Sequence, residues 1–144
     1  VISGIVTATN GLDLSGLLRE EVKVTAGKLS DNLNIELSDG MVHYFTTQES
    51  TTSNINLTFA VSGGVNLNTH MTNGSTISVT IITTAAAAGY INGVRIDSSA
   101  VTVNWVGGSA PSDGGTSGVD IYTFNIIKTA SATYTVIGNQ TKTS

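Results

Sequence analysis

The residues that invite a chemical reading are few, and glycine frames the densest group of them. Gly107-Gly108-Ser109-Ala110-Pro111-Ser112-Asp113-Gly114-Gly115-Thr116-Ser117-Gly118 is a glycine-rich loop, and such loops can cradle phosphate through their backbone N–H groups. A phosphate loop, however, runs into a helix, and the P-loop also carries a Lys. Residues 119–128 alternate like a strand instead. The segment therefore reads as a mobile connection between strands whose tip can touch another macromolecule. Trp105 closes the alternating run just before it. At a strand end the indole plugs a core with its N–H at the rim, although an aromatic beside a polar loop can also stack on a sugar ring. Trp105, Tyr90, Ser109, Asp113 and Thr116 are the candidate contact residues.

No catalytic constellation emerges. A turn at Asp39-Gly40 sets Glu36 opposite His43, which resembles a base and its orienter, but no Ser or Cys nucleophile motif accompanies them. A cross-strand ion pair on a solvated face, contributing under ~1 kcal/mol, is the plainer reading. His70 is isolated, and two His without H-x-H or H-x3-H spacing make a poor metal site. Asp97, Asp113 and Asp120 lack the alternating spacing of a calcium loop. No carboxylates stand out as a glycosidase pair. Three sequons, at Asn56, Asn73 and Asn139, are expected by chance in a chain this rich in Asn, Ser and Thr. The expectation is a non-enzymatic protein with no catalytic residue, no metal and no cofactor.

Composition narrows the classes further. The 144 residues carry a formal charge of −4, and only 11% of them are charged. That acidic balance leaves no electrostatic footprint for nucleic acid and no basic cluster for an anionic membrane. The absence of Cys removes disulfides, thiolate nucleophiles and zinc ribbons. No apolar run approaches the ~18 residues of a membrane span. Val1 leads straight into β-like residues without a signal-peptide pattern, and the chain is expected to be a piece of something longer. Charge is also unevenly spread: no Glu follows Glu49 and no Leu follows Leu67. The remainder after residue 50 is a nearly uncharged Thr/Val/Ile/Gly block.

Strands must do the positioning. Val, Ile and Thr, 49 residues together, are the β-branched types that fit a pleated surface and crowd a helix. Residues 1–16 read as short strands broken by Gly4, Gly11 and Gly16. Residues 17–28 allow one helical turn, capped by Ser15, followed by a strand. Residues 33–38 and 41–46 flank Asp39-Gly40, a pair suited to a type I′ hairpin. That register puts Leu33, Ile35, Leu37, Val42 and Tyr44 on one buried face. Asn73-Gly74 gives a weaker hairpin signal between 65–71 and 76–83. Beyond it, Ile77, Val79 and Ile81 alternate, then Val101, Val103 and Trp105, then Asp120, Tyr122, Phe124 and Ile126, then Tyr134 and Val136. Strands about ten residues apart with Gly/Ser/Asn turns predict an all-β, antiparallel sandwich-like head domain over 51–144. A short β segment over 1–18 and a connecting β-hairpin region over 19–50 precede it.

Three stretches resemble the long fibre-like structural proteins of marine bacteriophages, particularly contractile-tailed cyanophages. The first, residues 2–11, is similar to a unit that recurs many times in those proteins. The second, 19–30 continuing through 40–47, resembles the segment that follows such units. The third comprises 81–90, 105–115, 118–124 and 126–129, and is similar to their C-terminal domain. The resemblance implies a tail-fibre terminal domain in the virion, with residues 1–18 as a fibre-shaft-like segment, homotrimeric, contacting other virion proteins and a host-surface glycan or outer-membrane component; the acidic composition adds the expectation of no nucleic-acid partner. A capsid decoration or shaft protein is the alternative. A single unit such as 2–11 cannot bury its own apolar residues, whereas stacked copies can.

Overall fold

The computed structural model describes residues 13, 15–50 and 53–144, so most of the expected shaft-like segment, residues 1–12 and 14, lies outside the described residues. The alternation seen in the sequence becomes strands β1 (Val22–Thr25), β2 (Asn34–Glu36), β3 (Val42–Phe45), β4 (Ser53–Ala60), β5 (Thr76–Thr84), β6 (Gly89–Ile96), β7 (Ser99–Val101), β8 (Val103–Trp105), β9 (Val119–Ala130) and β10 (Thr133–Lys142), with one helical turn, α1 (Leu67–His70). The protein is mostly β and sandwich-like. A six-stranded sheet ordered β1-β3-β5-β9-β10-β8 faces a four-stranded sheet ordered β2-β4-β6-β7.

Both sheets are mixed, which corrects the antiparallel expectation. The pairs β1–β3, β3–β5, β2–β4, β4–β6 and β8–β10 run parallel. Only β5–β9, β9–β10 and β6–β7 are antiparallel. From β1 to β6 each strand crosses to the sheet opposite its predecessor and lies parallel to the strand two places back. The chain thus winds as three coils, which β7 and the β9–β10 hairpin then extend at one side. Residues 22–45 and 53–142 share one core.

The winding replaces the hairpin expected at Asp39-Gly40. β2 and β3 belong to different sheets, and the link between them is an arch. Leu37–Asp39 makes a 3-10 turn, and Ser38 N–H donates to Val61 O at 2.8 Å rather than to Met41. Gly40, at φ 124°, lets the chain pass close to Glu21, whose carbonyl lies 2.8 Å from where a Cβ would stand. The register flips with it. His43 and Phe45 point into the core, whereas Val42 and Tyr44 turn outward. His43 is 3% exposed and donates from Nε2 to Gly40 O at 3.0 Å; Glu36 sits on the other sheet, so no solvated Glu36–His43 pair forms.

Two further expectations change. Residues 17–21 form no helical turn before β1. The hairpin expected at Asn73-Gly74 is absent because Leu67–His70, in its first arm, coils into α1. That turn is clamped at both ends. The Asp97 carboxylate accepts from Leu67 N–H at 2.7 Å and Asn68 N–H at 2.9 Å. Buried Lys128 donates from Nζ to Met71 O at 2.8 Å and also to Asn68 O. Asp97 and Ser98 are themselves the left-handed pair, φ 49° and 69°, that turns β6 into β7.

The core is one layer between the sheets. Ile35, Ile55, Leu57, Phe59, Ile91, Val94 and Ile96 come from the four-stranded side. Phe45, Val79, Ile81, Tyr122, Phe124, Ile126 and Val136 face them. Phe59 and Phe124 meet edge to face across the layer with centroids 5.5 Å apart. Each such side chain contributes on the order of 1.5–3 kcal/mol by leaving water.

Asp97→Ala strips two backbone donors of a charged acceptor, so it should cost about 2 kcal/mol in urea unfolding with the slope unchanged. His43 yields a pH signature. Burial lowers its pKa from 6.5 against the opposing bond to Gly40 O, so the fold favours neutral imidazole. Stability should be intact above pH 6.5 and fall as pH drops below it towards the lowered folded value. His43→Gln should lack that loss.

Candidate functional site

All the arches on one side of the sandwich gather at the end where β1, β3, β5 and β10 finish and β9 begins, and the glycine-rich loop lies among them. Buried Glu49 accepts from Ser30 N–H at 2.8 Å and from Ser30 Oγ–H at 2.7 Å. Gln48 Nε2 donates to Ala85 O at 2.7 Å. These bonds tie the three stretches 26–33, 46–50 and 85–88 into a stack that supports the loop.

The loop divides in two. Residues 107–110 and Ser112 are exposed, whereas Gly114 and Gly115 are buried, which differs from a connection mobile along its whole length. Gly115 N–H donates to Asp120 Oδ2 at 2.7 Å, and Gly114 N–H to Ala87 O at 3.2 Å. Gln140 Nε2 donates to Asp113 O at 3.1 Å, and Lys142 Nζ pairs with Asp113 Oδ1 at 2.6 Å. A Cβ at Gly114 would collide with Ala86 O and stand 2.8 Å from Gly89 O, so only glycine lets this half sit down on the 85–89 turn. Asp120 is fully buried, and its Oδ1 has no hydrogen-bond partner. Burial raises its pKa, against the bond from Gly115 and the Lys142 charge, with Asp113 adding a small push upward.

The candidate contact residues separate. Trp105, on the edge strand β8, points inward and meets Phe124 edge to face at 5.8 Å. It lies over Gly138, where a Cβ would stand 2.9 Å from Cζ3. Tyr90 is half-buried and points outward from the opposite sheet, at the start of β6. Ser109 and Thr116 are exposed in the two halves of the loop, and Asp113 is bound to Lys142. The structure brings Asp113 and the Gly114 turn up to Gly89, next to Tyr90, but places Trp105 in the core layer.

A second surface is assembled by register alone. On the outer face of the four-stranded sheet Asn34 stands beside Thr58, and Thr58 beside Arg95. Asn56 is one pleat away beside Gly93, where a Cβ would overlap its amide oxygen. The arch residues Ser30 and Leu33 close a groove of about 510 Å³ over this row. Amide, hydroxyl and guanidinium groups here present donors and acceptors to solvent, and among the described residues Arg95 forms no ion pair. Sequence reasoning missed this site, since its residues stand 24 and 37 positions apart and only the parallel register aligns them. No protein-family model matches this chain, and no curated protein or solved structure matches it either.

The raised Asp120 pKa fixes the sign of a test. Its contribution to stability is fully present below 3.8 and is lost as pH rises through the elevated folded value. Asp120→Asn keeps an oxygen for Gly115 N–H and removes the buried charge. It should raise the unfolding midpoint at pH 7 and flatten the pH dependence above pH 4, measured by urea titration across that range.

Proposed function

We propose that this chain is the terminal domain of a bacteriophage tail fibre, homotrimeric, which attaches the virion to a hydroxyl-rich, acidic glycan on the host surface without cleaving it. The observation that carries the reading is the open groove of Asn34, Asn56, Thr58 and Arg95. Amides and hydroxyls exchange hydrogen bonds readily with sugar hydroxyls, and an unpaired guanidinium forms bidentate bonds with a carboxylate or sulfate. Tyr90 stands on the same outward face of β6, where a ring can stack on a sugar. The exposed half of the glycine-rich loop, with Ser109, lies at the end of the sandwich towards which Tyr90 is set, and extends the same contact surface. The likeness to cyanophage fibre proteins supplies the virion context.

A purely structural role, as shaft segment or capsid decoration, is the second reading, and a different feature favours it. The first coil ends in two strand edges, β1 and β2, that no other described strand covers. Val24 (60% exposed), on β1, and Leu33 (41%), directly before β2, lie at those edges. A preceding coil would cover them.

The two readings separate in a binding experiment with the purified chain on a panel of neutral and acidic bacterial surface polysaccharides. The attachment reading expects binding to acidic members that Arg95→Ala weakens by about tenfold or more, the share of one charge-assisted contact. Removal of residues 108–112, which spares the Asp113–Gly115 anchor, should weaken it further. Chain shortening of the polysaccharide would instead make the protein an enzyme. Binding to no member of the panel, or binding indifferent to both changes, leaves the structural reading standing alone.

A further inference from the structure

We propose that the outward face of the six-stranded sheet is the surface through which copies of this chain associate. The inference deepens the homotrimer in the preceding reading and rests on that reading for the number of copies alone.

The face carries no charge. Along β1, β3, β5, β8, β9 and β10 every outward position is Val, Ile, Thr, Ser, Asn or Tyr. The Lys, His and Asp residues of the same strands, Lys23, His43, Asp120, Lys128 and Lys142, all sit on the inward side, where three of them are buried. A sheet with one solvated face is ordinarily arranged the other way, with apolar residues in and charges out. Moving charge to the costly side is intelligible if the outer side must also leave water.

The face also has a contiguous apolar band. Val24 pairs with Tyr44, Tyr44 with Ile82, and Ile82 with Ile121, so four neighbouring strands present one unbroken row. Thr80 and Thr123 continue the neighbouring row. Six strands of three to twelve residues, at ~3.3 Å rise and ~4.8 Å spacing, cover roughly 650 Å², close to the ~800 Å² per partner of a standard interface.

A second copy fits this face better than a foreign partner does. The chain is net negative, so like surfaces repel wherever charges meet, and this is a broad surface on which they do not. Neutral Thr and Ile rows offer no charge pattern by which a different protein would be selected. They are self-complementary, since Thr hydroxyls pair with one another and β-branched side chains interdigitate across facing sheets.

The test is the molar mass of the intact chain by sedimentation equilibrium. The wild type should associate at tens of micromolar. Thr123→Lys sets like charges opposite one another in the middle of the face, and should weaken association by about 100-fold or more, since such juxtaposition costs several kcal/mol. Thr123 is exposed in the single chain, so the variant should keep its circular dichroism and melting point. Asn125→Lys, also exposed and on the same face, serves if Thr123→Lys misfolds. Ala100→Lys, on the outer side of the four-stranded sheet, should leave the mass unchanged. A monomeric wild type, or an oligomer indifferent to both lysines on the face, overturns the proposal. A dimer dispersed by Thr123→Lys supports the face and overturns the threefold number. Polysaccharide binding by the dispersed variant reports on the groove separately.

Discussion

Parallel pairing is the constraint from which the rest of this architecture follows. Two parallel neighbours cannot be joined by a tight turn, because the chain must return to the end at which it began. In α/β proteins a helix makes the return. Here β2 returns the chain from β1 to β3, and β4 from β3 to β5. Each return strand lies in the opposite sheet and brings its own apolar row, so the crossover and the second half of the core are the same object. Ile35, Phe59 and Ile91 on one side and Phe45, Ile81 and Phe124 on the other face one another for that reason.

The same constraint explains which parts of the fold were legible in the sequence. β5, β9 and β10 show their inward and outward residues plainly, because each is long and half-buried. The arches did not show themselves. An arch and a hairpin both join two alternating runs through a short polar turn, and they differ only in whether the flanking strands meet through hydrogen bonds or through side chains. Asp39-Gly40 carries the composition of a hairpin turn, yet Ser131-Ala132 makes a two-residue turn, and so does Asp97-Ser98, which likewise has no glycine. It tolerates two left-handed residues because Asp97 gains two backbone bonds from α1. Val101, Val103 and Trp105 look like one strand and all do face inward, but the chain changes sheet at Thr102 and splits them between β7 and β8.

The candidate site was legible only where it is local. Glycine density marked the 107–118 loop, whereas the carboxylate that anchors it, Asp120, looked like one more inward residue of a strand. Trp105 is partly buried against Phe124, and the small residue that admits its ring, Gly138, lies 33 positions away. The groove row Asn34–Thr58–Arg95 has no sequence signature at all. It depends on the winding that carries β2 into the sheet opposite β3 and sets Asn34 beside Thr58 of β4.

The scarcity of charge then becomes a matter of placement. In the six-stranded sheet, charge is admitted only where a bond or an end can hold it. Lys128 is held by the carbonyls of Asn68 and Met71, Asp120 by Gly115, Lys23 by Asp39 at 2.9 Å, and Lys142 by Asp113 at 2.6 Å. In the four-stranded sheet Glu36 and Arg95 stand on the outside, facing solvent. The sandwich therefore has two outer faces of opposite character, one neutral and apolar-banded, the other polar and carrying Arg95, which forms no ion pair among the described residues. Desolvation costs little on the first and much on the second. Under the proposed reading, a surface that packs against its like and a surface that meets a hydrated, hydroxyl-rich ligand make those two opposite demands, and a two-sheet fold can answer both because the faces share no strand.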